Sequence, residues 1–467
     1  MADIPAAEQA IRHAQVDLEM ALAALADTPP PNPDVVYTAR TDTTPEPKPD
    51  PLPLGAAPFS FTDPIFGTPI IRVTDELTAG GTSIRSASNA HVAVWNADSS
   101  RFYGMKASGG AQFFRFDGAR RRTSVDPVDV DRAAGWKGPK GLDPIDVKSY
   151  VEPSFSFDDP NLVLCGGGEN RRCVYSVDLR DATPTLLCNL DLAYDWLAAR
   201  GETYLNALVT AHGAWVVAFG GAGQDLHECV HYQRADGTWL GHSFLEWEPH
   251  GASQWQVHIH SVALDQSGRY VLVYTTAPDI QQGKPKVIVW DTQRDSTPNN
   301  PAAFTPLDQN AHHVSGHDTQ GYGVSVNQDT SAGQYDGLQW TKRTLANPTV
   351  GANVLPQTLQ PPQVYVEDHS NWRNSRADNQ PPYFSFTWRH DTSPTPWRAW
   401  DDEIIAVKPD GSAVYRFLHH QAIGGDQEFW DQCLGHVAPN GRRGSFSSNW
   451  GKRLLAQRQD LFVFLPA

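Results

Sequence analysis

The chain reads as an all-β protein, a seven-bladed β-propeller carrying an N-terminal helix on a Pro-rich linker. Three observations predict this. The first is the stretch His258–Asp291, HIHSVALDQSGRYVLVYTTAPDIQQGKPKVIVWD, in which an apolar strand meets a turn at Asp265–Gly268, rises into RYVLVY and descends through VIVWD. The second is that this strand pair recurs, from His91, Pro153, Ala207, His313, Arg373 and Gly435, so that seven copies follow one another at blade-length intervals. The third is composition: 15 Trp, 14 Tyr and 19 Phe among 37 Gly and 36 Pro suit stacked sheets joined by tight turns, and only 3 Met argue against an adaptable helical core.

Taken in order, residues 1–27 hold Ile4, Ala7, Ile11, Ala14, Leu18, Ala21 and Leu25 in unbroken 3-4 alternation, the pattern of a short coiled-coil helix with Asp3 as N-cap. This helix is expected either to bring copies of the chain together as a homo-oligomer or to dock on its own propeller. Residues 28–58 are Pro-rich (TPPPNPD, TTPEPKPDPLPLG) and poor in large apolar side chains, so they are expected to form an extended, semi-rigid spacer. The propeller then occupies residues 59–467. Its early strand PIIRVTD (Pro69–Asp75) precedes the first full copy, while the last copy ends in DLFVFLP close to the C-terminus. The early strand is therefore expected to complete the last blade and close the ring, which leaves no sheet edge open.

A net charge of −16 excludes a general phosphate-backbone binder, so no nucleic acid is expected, and an acidic polymer must be gripped by a local basic pocket. Five cysteines make no disulfide framework. Cys165 and Cys173 flank the loop GGGENRR and are read either as a cross-strand pair or as small buried residues. No apolar run is long enough to span a membrane, and no secretory signal precedes the helix, which leaves a cytoplasmic or virion-associated location, or a secreted one if the sequence is a mature form. No GxSxG elbow, CxxC pair or HExxH motif is present, which tells against serine hydrolase, zinc-ribbon and zincin chemistry.

Counting back five residues from the turn residues Asn96, Asp158, His212, Asp265, Asp318 and Asp378 gives His91, Pro153, Ala207, His260, His313 and Arg373, with Gly435 or His436 in the shorter seventh copy. If these strands are innermost, their starts surround one channel mouth, where four His and one Arg converge. His258 shares a strand face with His260 because alternate residues of a strand point the same way. Trp255, Trp372, Trp430 and Trp450 lie near the same strand ends, and each is read either as a sugar-stacking platform or as blade packing. His419 and His420 end an outer strand and read as surface residues.

The copies PSFSFDDPNLVL, HSVALDQSGRYVLVY and QCLGHVAPNGRRGSFSSNWG resemble the blades of the oligogalacturonate-lyase-like propellers, a family of polysaccharide lyases, over roughly Pro69–Ala467. The resemblance implies a divalent metal, Mn or Ca, at the channel mouth, with His313, His436, Gln432 and His317 as the nearest matching ligands. Gln432 and His436 stand one residue further apart than their counterparts in that family. It implies β-elimination at a uronic acid, in which a metal or Arg373 neutralises the carboxylate and His260, His258 or His91 serves as base. The expected partner is an acidic polysaccharide or oligosaccharide. The alternative is a non-enzymatic carbohydrate-binding or virion-surface attachment protein that displays propellers on an oligomeric stalk.

Overall fold

The stretch Tyr270–Thr275, YVLVYT, is buried at every position, and so is Val287–Asp291 beside it. Strands with both faces covered must be sandwiched between neighbouring sheets, and β-branched and aromatic residues are what such a pleated, doubly packed surface takes. Ile259–Leu264 and Phe304–Leu307 complete a four-stranded antiparallel sheet in sequence order. Its first turn is held by Asp265, whose carboxylate accepts the backbone N–H of Arg269 and Tyr270 and also that of Gly323 on the next sheet. Asn96 repeats the device, accepting from Ser100 and Arg101 while its Nδ2 donates to Pro160 O of the sheet that follows. One polar residue thus closes a hairpin and ties two blades together.

The computed structural model describes residues 36–107, 110–129, 152–167, 172–180, 183–194, 205–220, 228–244, 257–275, 285–295, 300–307, 319–329, 339–354, 368–374, 380–388, 397–423, 431–451 and 458–466. They form seven antiparallel sheets, six of four strands and one of five. The first strands, Ile84–Arg85, Ser154–Phe155, Leu205–Ala211, Ile259–Leu264, Thr319–Gln320, Asp368–Asn371 and Gly435–Val437, open blades 1 to 7. The first strands of blades 2 and 3, 3 and 4, 5 and 6, and 6 and 7 touch one another, so they line the axis. The apolar cores lie between blades; Trp95, Phe102 and Phe113 of blade 1, for example, pack with Phe155, Val163 and Val177 of blade 2.

Blade 7 closes the ring as the sequence leads one to expect. Pro69–Arg72 pairs with Asp460–Phe464, Ile70 facing Phe464 and Arg72 facing Phe462, and Arg72 Nη2 lies 2.6 Å from Asp460 Oδ2 in a buried ion pair. A further strand, Phe59–Thr62, adds a fifth member outside it. Within the described residues the segment from 36 to 58 is not a free spacer. Tyr37 is buried against Phe384, Tyr415 and Phe417 and donates its hydroxyl to Gly441 O, and Arg416 Nη1 donates to the carbonyls of Asp42 and Thr44. Lys48 Nζ sits 2.5 Å from Asp402, and Trp450 Nε1 donates to Leu52 O. Proline-rich backbone has few N–H groups to satisfy, so it can lie as a strap over blades 6 and 7 held by its side chains and carbonyls.

The expected helix over residues 4–25 lies outside the described residues. Among those described, the α-helix Leu190–Ala193 is a single turn and no helix is long and apolar enough to cross a membrane. The five cysteines are free: Cys165 stands opposite Tyr175, while Cys173 stands opposite Gly167 and Asn189. His419 and His420, expected at the surface, are both fully buried, because the strap covers the former through Glu46 O and Thr387 O accepts from the latter.

Candidate functional site at the channel mouth

The axis has two different ends. At the entry end the first strand of blade 1 is interrupted: Ile84–Arg85 pairs with Met105–Lys106, Trp95 bridges Phe102, and the residues between leave the sheet and enter the channel. Ser86, Ala87, Ala90, His91 and Val92 are buried there. His436 Nε2–H donates to Asn89 O at 2.9 Å, so its Nδ1 accepts from Ser86 Oγ at 2.9 Å, and His369 Nε2 donates to Ser88 O at 2.8 Å. The Glu152 carboxylate takes the Ser88 N–H and hydroxyl and the Asn89 N–H. Burial pushes His436 down to about 4 and His369 down to about 3, and it raises Glu152. This end is a plug whose polar groups find their partners inside the chain.

The opposite mouth is built from the turns that follow the first strands. In blade 3 Ala211 pairs with Ala214, leaving His212 and Gly213 as a two-residue hairpin loop with φ of 39° and 74°. That turn requires positive φ at both positions and normally carries Asn, Asp or Gly at the first. His212 is held in it by side-chain bonds on both nitrogens, Nδ1 2.8 Å from Asp158 Oδ1 of blade 2 and Nε2 3.1 Å from Tyr322 Oη of blade 5. A carboxylate accepts, so Nδ1 carries the proton and Nε2 accepts from the phenol. The ring edge meets Phe157 at 4.5 Å between centroids. The Asp158 and His212 side chains are 45% and 31% exposed, so this chain of three groups opens to solvent.

Arg373 lies beneath it. Only 6% exposed, its guanidinium crosses from blade 6, donates Nη2 to Thr210 O of blade 3 at 2.8 Å and lies 5.1 Å above the Phe157 ring. Burial lowers its pKa to about 10, opposed by Tyr322 and Asp158. Among the described residues no carboxylate forms an ion pair with it. Its partners among the described residues are the Thr210 carbonyl and hydroxyl and the Phe157 ring face, and a buried cation without a carboxylate is a poor structural device, since an uncompensated buried charge is costly, and a good receptor for an anion. Burial also raises Tyr322, partly offset by Arg373.

The residues that the counting rule grouped do not hold equivalent positions in their blades. Arg373 follows the first strand of blade 6 rather than opening it, and in blade 5 the turn falls at Gly321–Val324, beyond Asp318. Blade lengths differ, so a fixed offset from a turn residue does not mark equivalent positions. Arg373 and His91 do line one cavity in the channel, with Trp372 and Gln320. His91 stacks on Tyr274, and Trp372 is buried, donating its indole N–H to Pro381 O. His258 and His260 are half-buried at the entry of the first strand of blade 4, where the His260 carbonyl accepts from Asn206. Gln432 is half-buried just before blade 7. His313, His317, Trp255 and Trp430 lie outside the described residues. Asp158, His212 and Tyr322 had one signal in the sequence: His occupies a turn position that other copies give to Asn or Asp.

Of the ligands that the sequence resemblance implies, His436 and Gln432 lie among the described residues and His313 and His317 do not. No group of three His, Cys, Asp or Glu among the described residues is arranged to hold an ion, and both His436 nitrogens are engaged by the plug. In fold, the chain aligns with an oligogalacturonate lyase from Vibrio parahaemolyticus at a TM-score of 0.55 and 10% identity, covering 90% of this chain and 98% of the other. It also aligns with an oligogalacturonate lyase in complex with manganese at a TM-score of 0.52 and 10% identity, covering 92% and 99%. The chain is similar in fold to oligogalacturonate lyases. No protein family profile and no curated relative matches it.

Proposed function

We propose that the chain is a carbohydrate-active propeller that cleaves a uronic-acid polysaccharide or oligosaccharide by β-elimination at the mouth formed by Asp158, His212, Tyr322 and Arg373. The observation that carries this reading is the buried Arg373, without a carboxylate partner among the described residues, directly below an Asp–His–Tyr chain. β-Elimination needs the uronate carboxylate neutralised, so that the C5–H becomes acidic, and a base beside that proton. Arg373 supplies the neutralising charge. Tyr322 Oη takes the C5 proton as its own proton passes to His212 Nε2, and Asp158 stabilises the imidazolium that forms. The electrons of the C5–H bond become the C4=C5 double bond, the C4–O bond breaks, and the departing oxygen takes the proton held at His212 Nε2, which returns the row to its starting state. No step is routed through a metal.

The resemblance in fold to oligogalacturonate lyases supports the substrate class. The test is to incubate the protein with a panel of uronates and follow the ultraviolet absorbance of the unsaturated product. Product from at least one uronate, lost in Tyr322→Phe, is the expected result. Binding of sugars without product from any of them overturns the lyase reading in favour of a non-enzymatic attachment protein.

A further inference from the structure

Because the a–b and c–d turns of a four-stranded blade lie on the same face, the turn of blade 7 between Val437 and Gly444 and the turn of blade 1 between Asp117 and Arg122 share a face with the candidate mouth. These two neighbouring turns carry Arg442 and Arg443, and Arg120, Arg121 and Arg122. All but Arg443 are exposed. They meet in space, since the Gly118 backbone lies beside the Arg443 guanidinium, which itself stacks over Phe116 at 4.5 Å and donates to Ser99 O. Elsewhere on this face Arg180 pairs with Asp178, Arg269 and Arg294 both pair with Asp291, and Arg234 is engaged by Thr238 and the Thr292 carbonyl. In the blade 7 and blade 1 patch the acids are Asp98, which acts on Arg443, and Asp117, which lies 3.7 Å from Arg120. Among the described residues Arg121, Arg122 and Arg442 have no ion-pair partner. A cluster of five arginines in a chain of net charge −16 is a local reversal of field.

We infer that this patch is an accessory binding surface for an extended polyuronate chain, which it leads toward the channel mouth. The inference rests on the reading of the mouth as a uronate site and deepens it by assigning a polymeric substrate. Strands stack about 4.8 Å apart, so the c–d turn of blade 1 stands roughly 10–15 Å out from the channel wall, the length of a few sugar residues. Each guanidinium offers a planar fork that matches a carboxylate, and a uronate polymer presents one carboxylate per sugar at comparable intervals. Single-stranded nucleic acid fits less well. It stacks its bases on exposed aromatic rings, and among the described residues the exposed large apolar side chain near these turns is Val125, not an aromatic.

The experiment is gel retardation in a matrix carrying polygalacturonate, dextran or single-stranded DNA, run with the wild type, Arg121→Ala/Arg122→Ala/Arg442→Ala, the single charge reversal Arg442→Glu and, outside the patch, Arg180→Ala, whose side chain is paired with Asp178. The expected result is retardation of the wild type by polygalacturonate and not by dextran, weakening with salt. The triple variant should lose at least about tenfold in apparent affinity and Arg442→Glu part of it, while Arg180→Ala stays retarded. Retardation is read without turnover, so the patch stands even if no uronate is cleaved. Equal retardation of the triple variant and the wild type overturns the proposal, and so does tighter retardation by DNA than by polygalacturonate.

Discussion

The two ends of the central channel use the same residue types to opposite effect. At the entry, His436, His369 and Glu152 face Ser86, Ser88 and Asn89, and both His436 nitrogens, His369 Nε2 and the Glu152 carboxylate are engaged by backbone or hydroxyl groups of the inserted segment. At the mouth, His212 is bonded to Asp158 and Tyr322, but the row remains open to solvent, and among the described residues no carboxylate pairs with the cation beneath it. A polar group that the fold has satisfied does structural work. One that the fold has oriented but left incomplete is available to a ligand.

This contrast can be broken most severely through the proton-transfer chain. His212→Gln should lower kcat on uronates by about 10²–10⁴, the range of a lost general base, with an unchanged melting temperature because the side chain lies on the surface. Asp158→Asn should cost less, since it removes orientation and charge support rather than the acceptor. Unaltered kcat in both would put the proton transfer elsewhere.

Arg373→Met is the next largest. Turnover should fall by about 10²–10³, as for loss of one preorganised charge, while thermal stability holds or rises because an uncompensated buried cation has been replaced by a packed apolar side chain. A fall in stability with turnover retained would make Arg373 a structural residue.

The strap supplies a region that belongs to neither end. Deleting residues 1–55 removes the buried Tyr37 and the Lys48–Asp402 pair, so the melting temperature should drop by several degrees more than on deleting 1–35, which leaves those contacts in place. Calorimetry of the two truncations checks this. Equal melting temperatures would return residues 36–55 to the role of a passive spacer.

The smallest effect concerns acid stability at the plug. His436 and His369 have pKa values depressed to about 4 and about 3, so the fold favours their neutral forms. Their contribution is fully present above the ordinary histidine pKa of about 6.5 and is lost as pH falls through the folded values. Denaturant melts between pH 7 and pH 4 should therefore lose stability on acidification, less so in His436→Asn. Parallel pH profiles for variant and wild type would count against the plug.

Blade number and closure were legible because they depend on repetition and on burial of both strand faces, which period-2 apolar runs such as YVLVY and VIVWD record directly. Arg373 was legible as a residue type but not as a position, because the long excursion after Asn371 breaks the constant offset. The plug was hidden for the opposite reason. HVAVW reads as an ordinary strand, and only tertiary contacts from blades 2, 6 and 7 draw the preceding Ser86–His91 out of the sheet. Asp158, His212 and Tyr322 lie far apart in sequence, and nothing local marks that three turns meet.

The most direct test of the account is the initial rate of unsaturated-product formation by Tyr322→Phe and His436→Asn measured side by side. Tyr322→Phe deletes the hydroxyl that faces the open mouth, and His436→Asn alters the closed end. The account predicts that Tyr322→Phe retains the wild-type melting temperature and loses product formation, while His436→Asn melts lower, by about 1–3 kcal/mol of stability, and keeps the wild-type kcat. An active Tyr322→Phe beside an inactive, stably folded His436→Asn would place the chemistry at the plugged end and contradict the account.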